Sequence, residues 1–172
     1  SESPLLSAAA VPPNLVLLID DSGSMNNIIW AAGFKPTDSY PQIANCSSNS
    51  SCFSGQGLDM SDTNIALSSL NRGGCSTNGN WYGFYRGFLG QSSICLKLPD
   101  PVGKENTRYT ANYLSYLVNQ ANGSNRDYTT GTGAIPNDYR MSVAQDVSTT
   151  LVTSNRSLRI GLATFNPPTG NN

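Results

Sequence analysis

Apolar and polar positions alternate between two regular periods and a long stretch with little period at all. Residues 14–19, Asn-Leu-Val-Leu-Leu-Ile, form an apolar run that ends at Asp20. Such a run predicts a strand buried on both faces, as in a parallel sheet covered by helices. Between 139 and 152 the period lengthens to that of a helix. Met141, Ala144, Val147, Leu151 and Val152 fall on one face, and Asn137 or Asp138 is placed to cap the start. Residues 158–165 read as a second strand, ended by Pro167 and Pro168. Strand, helix and strand in that order predict two adjacent parallel strands of an α/β fold, with the helix packed on one face through Met141, Ala144, Val147 and Leu151.

Residues 1–13 are a small, apolar, Pro-terminated lead-in, and 14–172 read as the N-terminal part of one domain. Residues from about 33 to 138 interrupt it as an insertion rich in Gly, Ser and Asn. Within the insertion, 67–70 and 109–118 have helical character, the second through Tyr109, Tyr113, Tyr116 and Leu117 at three- and four-residue spacing. An irregular segment so long is expected to carry function or structure of its own. Two strands and one main helix cannot bury both faces of a sheet. Either the insertion supplies layers, or the natural polypeptide continues past Asn172; the second is the expectation.

Composition narrows the function. Ser, Thr and Asn total 55 of 172 residues, and the net charge is −1. That balance cannot neutralise a run of phosphates, which argues against a nucleic-acid binder. Histidine is absent, which removes Ser–His and Cys–His catalysis and the usual zinc-hydrolase ligand sets, so an enzyme is not expected. Ser22 as a hydrolase nucleophile would lack its base. No apolar run approaches the length of a membrane span.

Four cysteines stand at 46, 52, 75 and 95, all inside the insertion and without a CxxC pair. Of the three possible pairings, Cys46–Cys52 with Cys75–Cys95 is favoured because each closes a local loop. The second is worth about 3 kcal/mol in the chain-entropy account. Disulfides imply the periplasm or cell exterior. Trp81-Tyr-Gly-Phe-Tyr85, beside that bridge, reads as a small core rather than a recognition patch. The Asn-x-Ser sequons at 45, 49, 122 and 155 read as products of an Asn/Ser-rich composition.

The residues that carry chemistry follow the first strand. Asp20, Ser22 and Ser24 form a D-x-S-x-S arrangement, with Gly23 expected to turn the chain tightly. Carboxylate and hydroxyl are hard donors that suit Mg²⁺, Mn²⁺ or Ca²⁺. They sit where open α/β sheets place ligands, outside the carboxyl end of a strand. With one charge among three ligands, a bound ion would stay under-neutralised and draw in a carboxylate from another molecule. The plainer reading is a turn capping a helix at 25–31, worth about 1 kcal/mol.

Leu17-Leu-Ile-Asp-Asp-Ser-Gly-Ser-Met25 resembles the metal-ion-dependent adhesion site of von Willebrand factor type A domains. Residues 139–152 and 158–165 are similar to that family's first helix and second strand. Pro12-Pro-Asn-Leu15 before the site, the Cys- and aromatic-rich insertion and Asn112-Tyr-Leu-Ser-Tyr116 resemble, more narrowly, the PilY1/PilC-type tip adhesins of type IV pili. The resemblance implies a Rossmann-like core, incomplete in this chain, and a divalent metal held by Asp20, Ser22 and Ser24. It also implies an extracellular adhesion module at a pilus tip, whose partners are minor pilins or a surface receptor protein. The alternative is a structural tip or priming component with a vestigial site. The family completes its site with a threonine and a second aspartate beyond the second strand, which this chain does not reach. Thr132 precedes the first helix and is a poor stand-in. Metal binding by these 172 residues alone is therefore expected to be weak or absent.

Overall fold

The computed structural model describes residues 11–46, 57–86 and 93–164. Over these residues the fold is mixed α/β, with small sheets and two α-helices. It divides into two compact units, one made of Ser1–Ser22 with Val143–Asn172 and the other of Gly23–Ser142.

In the first unit, β1 (Asn14–Ile19) pairs in parallel with β8 (Arg159–Thr164), from Asn14 opposite Arg159 to Ile19 opposite Thr164. The parallel pairing expected from the sequence is present; the tail of the second strand run, from Phe165 on, lies outside the described residues. Burial on both faces is not present. Leu17 and Ile19 are half-buried, whereas Val16 and Leu18 are 66% and 54% exposed. Among the described residues this sheet has two strands, too few to be covered on both faces, so alternate side chains stay in contact with water. The helix α2 (Arg140–Ser154) also departs from its predicted face. Ala144, Ser148 and Leu151 are half-buried, but Val147 is 63% exposed. The actual stripe therefore runs through a serine, whose hydroxyl donates to the Ala144 carbonyl. Neither Asn137 nor Asp138 supplies the capping side chain expected. Instead the Ser142 hydroxyl accepts from the Tyr139 N–H and donates to the Tyr139 carbonyl.

The second unit holds the insertion, and it is far from structureless. A four-stranded sheet runs in the order β2 (Ile43–Ala44), β4 (Trp81–Arg86), β5 (Ile94–Lys97), β7 (Arg126–Asp127). Its first three strands are antiparallel neighbours and the last pairs in parallel. A second pair joins β3 (Ile65–Ala66) to β6 (Arg108–Tyr109). Only a short 3₁₀ turn, Leu67–Ser69, forms where a helix was read at 67–70. The longer helical pattern does become α1 (Ala111–Gln120), capped by the Thr110 hydroxyl, which accepts from the Tyr113 N–H at 3.1 Å. Tyr109 falls in the strand before it; Tyr109, Tyr113 and Leu117 are buried, whereas Tyr116, read on the same stripe, is only half-buried.

The core of this unit is aromatic. Tyr113 stacks near-parallel to both Tyr109 (6.2 Å) and Tyr116 (6.0 Å), and meets Phe34 at 4.8 Å. Trp30 meets Phe34 edge-on at 5.1 Å. On the sheet, Tyr82 and Phe84 point into the same core, and Tyr85 packs with Ala44 and Cys46. Residues 82–85 are thus core, as read from the sequence, while Trp81 is half-buried. Cys75 and Cys95 form a disulfide, with Cα atoms 5.7 Å apart. The predicted partner of Cys46, Cys52, lies outside the described residues.

The loop that bears Cys75 crosses β4 at glycine. A Cβ on Gly83 would lie 2.8 Å from both the Arg72 carbonyl oxygen and the Gly73 Cα. Those are backbone atoms that cannot swing aside. Beside them the Asn45 amide donates to the Asn71 and Gly83 carbonyls and accepts from the Asn71 N–H. A glycan on the Asn45 nitrogen would break this brace. Gly83→Ala is expected to cost about 1–3 kcal/mol through overpacking, read as a lowered thermal midpoint. An unchanged midpoint would mean the loop does not press on the strand.

Candidate functional site

The chain leaves β1 through Asp20, and Ser22 closes back on it. The Ser22 N–H donates to Oδ1 at 2.8 Å and its hydroxyl donates to Oδ2 at 2.9 Å. Asp side chains favour this closure because the short carboxylate reaches the backbone two residues on. Gly23 contributes less than expected. It is not among the glycines with left-handed backbone, and a Cβ there would meet the Arg108 guanidinium carbon at an ordinary 3.7 Å. The tight corner is made by Asp20 and Ser22. No helix forms at 25–31, only the 3₁₀ turn Gly23–Asn26.

Carboxylate and hydroxyl oxygens 2.9 Å apart have the separation of neighbouring corners around a small cation. Ligands at about 2.1 Å in an octahedron stand about 3 Å from one another. A serine hydroxyl can turn its lone pairs to an ion when its proton is no longer directed at the carboxylate. The donor types of Asp20 and Ser22 are those that suit a hard divalent cation, and the same closure recurs at Asp59 and Ser61. Asp20 is exposed, so its charge is screened, and no group of three or more His, Cys, Asp or Glu able to hold a metal occurs among the described residues. The structure brings Asp20 and Ser22 together in one unit, whereas Ser24 belongs to the other. There its carbonyl accepts from the Asn27 N–H and side-chain amide, at 3.1 and 3.0 Å. Thr132 lies in an exposed turn with its carbonyl engaged by Arg126.

The second unit contains a cleft of about 520 Å³ that no motif announced. Its walls come from five places: the chain after Ser24, the loop 36–40, the segment 60–63, the start of α1 and Arg140. Trp30, Phe34 and Tyr40 give it aromatic surface, Asp38 and Asp62 carboxylates, and Arg140 a guanidinium. Arg140 lies 5.7 Å over the Trp30 ring. Asn112 ties two walls together by donating to the Pro36 and Asp38 carbonyls. Two cleft residues have buried atoms without a hydrogen-bond partner, Asn27 Oδ1 and Trp30 Nε1. The signal available in the sequence was the aromatic content of 30–40, but the lining is scattered over more than a hundred positions.

No protein-family model, curated protein or solved structure matches this chain.

Proposed function

We propose that this chain is an extracellular binding module of the von Willebrand factor A type, placed at the tip of a type IV pilus. It engages a partner, a minor pilin or surface receptor protein, through a divalent ion held by Asp20, Ser22 and Ser24. The observation that carries the reading is the convergence of the Asp20 and Ser22 oxygens at 2.9 Å just after a strand paired in parallel with a later one. The Cys75–Cys95 bridge fits an oxidising compartment. Asp20 supplies the one formal charge of the set. An ion held there keeps open positions, one of which a partner carboxylate fills.

Asp20→Ala is expected to abolish divalent-ion binding while leaving the far-UV spectrum unchanged. Ser22→Ala should weaken it less, because water replaces one hydroxyl in a flexible oxygen shell. Calorimetry with Mg²⁺, Mn²⁺ and Ca²⁺ on both variants measures this, with a dissociation constant in the millimolar range for these 172 residues. Adhesion that persists in chelator, or in Asp20→Ala, would remove the metal bridge. The structural-tip reading would then take its place.

A further inference from the structure

We infer that the cleft of the Gly23–Ser142 unit binds a free amino acid with an apolar side chain, in its zwitterionic form. The inference goes beyond the metal reading and does not depend on it. The cleft's volume, about 520 Å³, lies within the roughly 300–1,000 Å³ of small-molecule sites. What selects the ligand is a set of three charged side chains on its lining, each anchored and none in an ion pair.

Arg140 is the positive one. Its backbone N–H donates to the Asn27 carbonyl at 3.0 Å, and its guanidinium lies over the Trp30 ring, 5.7 Å from the centroid. Stacking of this kind fixes the guanidinium plane and leaves the N–H groups at its edge open. Among the described residues no carboxylate pairs with it and no acceptor takes a hydrogen bond from its side chain. A planar fork of donors is the complement of a carboxylate, which it holds through two bonds at once. Trp30 therefore serves to position Arg140 and not to receive the ligand.

Asp38 and Asp62 carry the negative charges. The Asp38 carbonyl accepts from the Asn112 amide at 3.0 Å, and the Asp62 carbonyl accepts from the Ala111 N–H at 2.8 Å. Both residues are thus tied through their backbone to the first turn of α1. Both are exposed. Among the described residues nothing donates to the Asp38 carboxylate, and only the Asn64 N–H donates to that of Asp62. An ammonium group brings three donors and suits such acceptors.

The balance of signs excludes simpler ligands. A lone anion drawn to Arg140 meets two like charges in the same cleft. A lone cation is repelled by Arg140 and leaves the guanidinium unanswered. Ammonium and carboxylate on one carbon answer both signs. Pro36, Tyr40 and Met60 also line the cleft, and an apolar side chain gains by burial against them.

Titrating isotope-labelled protein with phenylalanine and with leucine, each beside its own amine (phenethylamine, isopentylamine) and acid (hydrocinnamate, isocaproate), tests this. Chelator is present so that no metal contributes. Within each set the side chain is constant and only the charges change. At least one amino acid is expected to move the Arg140 Nε–H signal and the amides of Thr37–Tyr40, and to bind at least tenfold more tightly than its amine or its acid. Arg140→Gln should weaken that amino acid at least tenfold without weakening the amine. Asp38→Asn, at an exposed position where the fold is unaffected, should weaken it several-fold without weakening the acid. Failure of both amino acids at millimolar concentration would overturn the proposal. So would an amine or acid that binds as well as its amino acid, or undiminished binding in both variants.

Discussion

Tyr113→Ala is expected to destabilise the Gly23–Ser142 unit by about 3–5 kcal/mol, the range for truncating a large buried aromatic. Tyr113 is wholly buried and is the ring that Phe34, Tyr109 and Tyr116 share. Its hydroxyl also accepts the Ala31 N–H at 2.9 Å, which fixes the chain after Trp30. The alanine variant loses ring contacts and leaves that N–H unpaired. Tyr113→Phe keeps the ring and loses only the acceptor, so it should cost about 1–2 kcal/mol. Against a typical domain stability of about 5–15 kcal/mol, the larger loss is a substantial part of the whole. Denaturant titration of both variants, followed by far-UV dichroism, separates ring from hydroxyl. Equal midpoints for alanine and phenylalanine would mean that the stack contributes nothing.

Alkaline solution should unfold the same unit cooperatively. Burial pushes the Tyr113 phenol up to about 12, with the neighbouring Tyr116 adding to the rise and the Ala31 hydrogen bond opposing it. Burial likewise raises Tyr128 to about 12 against the pull of Arg126. Tyr109 and Tyr82 are also raised, chiefly by burial, and Tyr82 further by its hydrogen bond to Glu105. In each case the folded state holds the neutral phenol more firmly than the unfolded chain does. The advantage is complete below the ordinary value of 10, and it is lost as pH rises from 10 through about 12. For Tyr113 and Tyr128 a shift of this size corresponds to about 2–3 kcal/mol each. Phenolate absorbance should therefore rise in a steep step that coincides with loss of near-UV dichroism. Independent, gradual titration of all eight tyrosines without unfolding would show that the buried hydroxyls are accessible.

Local pattern carried much of the fold. The runs at 14–19 and 158–165 are β-favouring and too short for helices, so strand was the available choice, and the intervening helix made parallel pairing the economical connection. The tyrosine spacing of 109–117 placed Tyr113 and Leu117 on the buried side of α1, whereas Tyr109 falls in the preceding strand and Tyr116 stays half-buried. Cys75 and Cys95 closed a local loop, and the structure joins them. Asp20 and Ser22 could be matched because an Asx closure needs only residues two apart.

Other features were settled by contacts between distant residues. Ser148, not Val147, takes the half-buried stripe of α2, since helix rotation answers to whatever surface is offered and not to hydrophobicity alone. The insertion lacks long periodic runs because its strands are two to six residues long and its core is built by rings from separate loops. Gly83 looks dispensable until Gly73 is found against it. The cleft could not be foreseen at all. Asn27, Asp38, Asp62, Asn112 and Arg140 follow no spacing rule, and only the closing of the loops around α1 brings them to one hollow. A motif can be read when backbone connectivity alone holds its groups together; a site assembled by packing becomes visible once the packing exists.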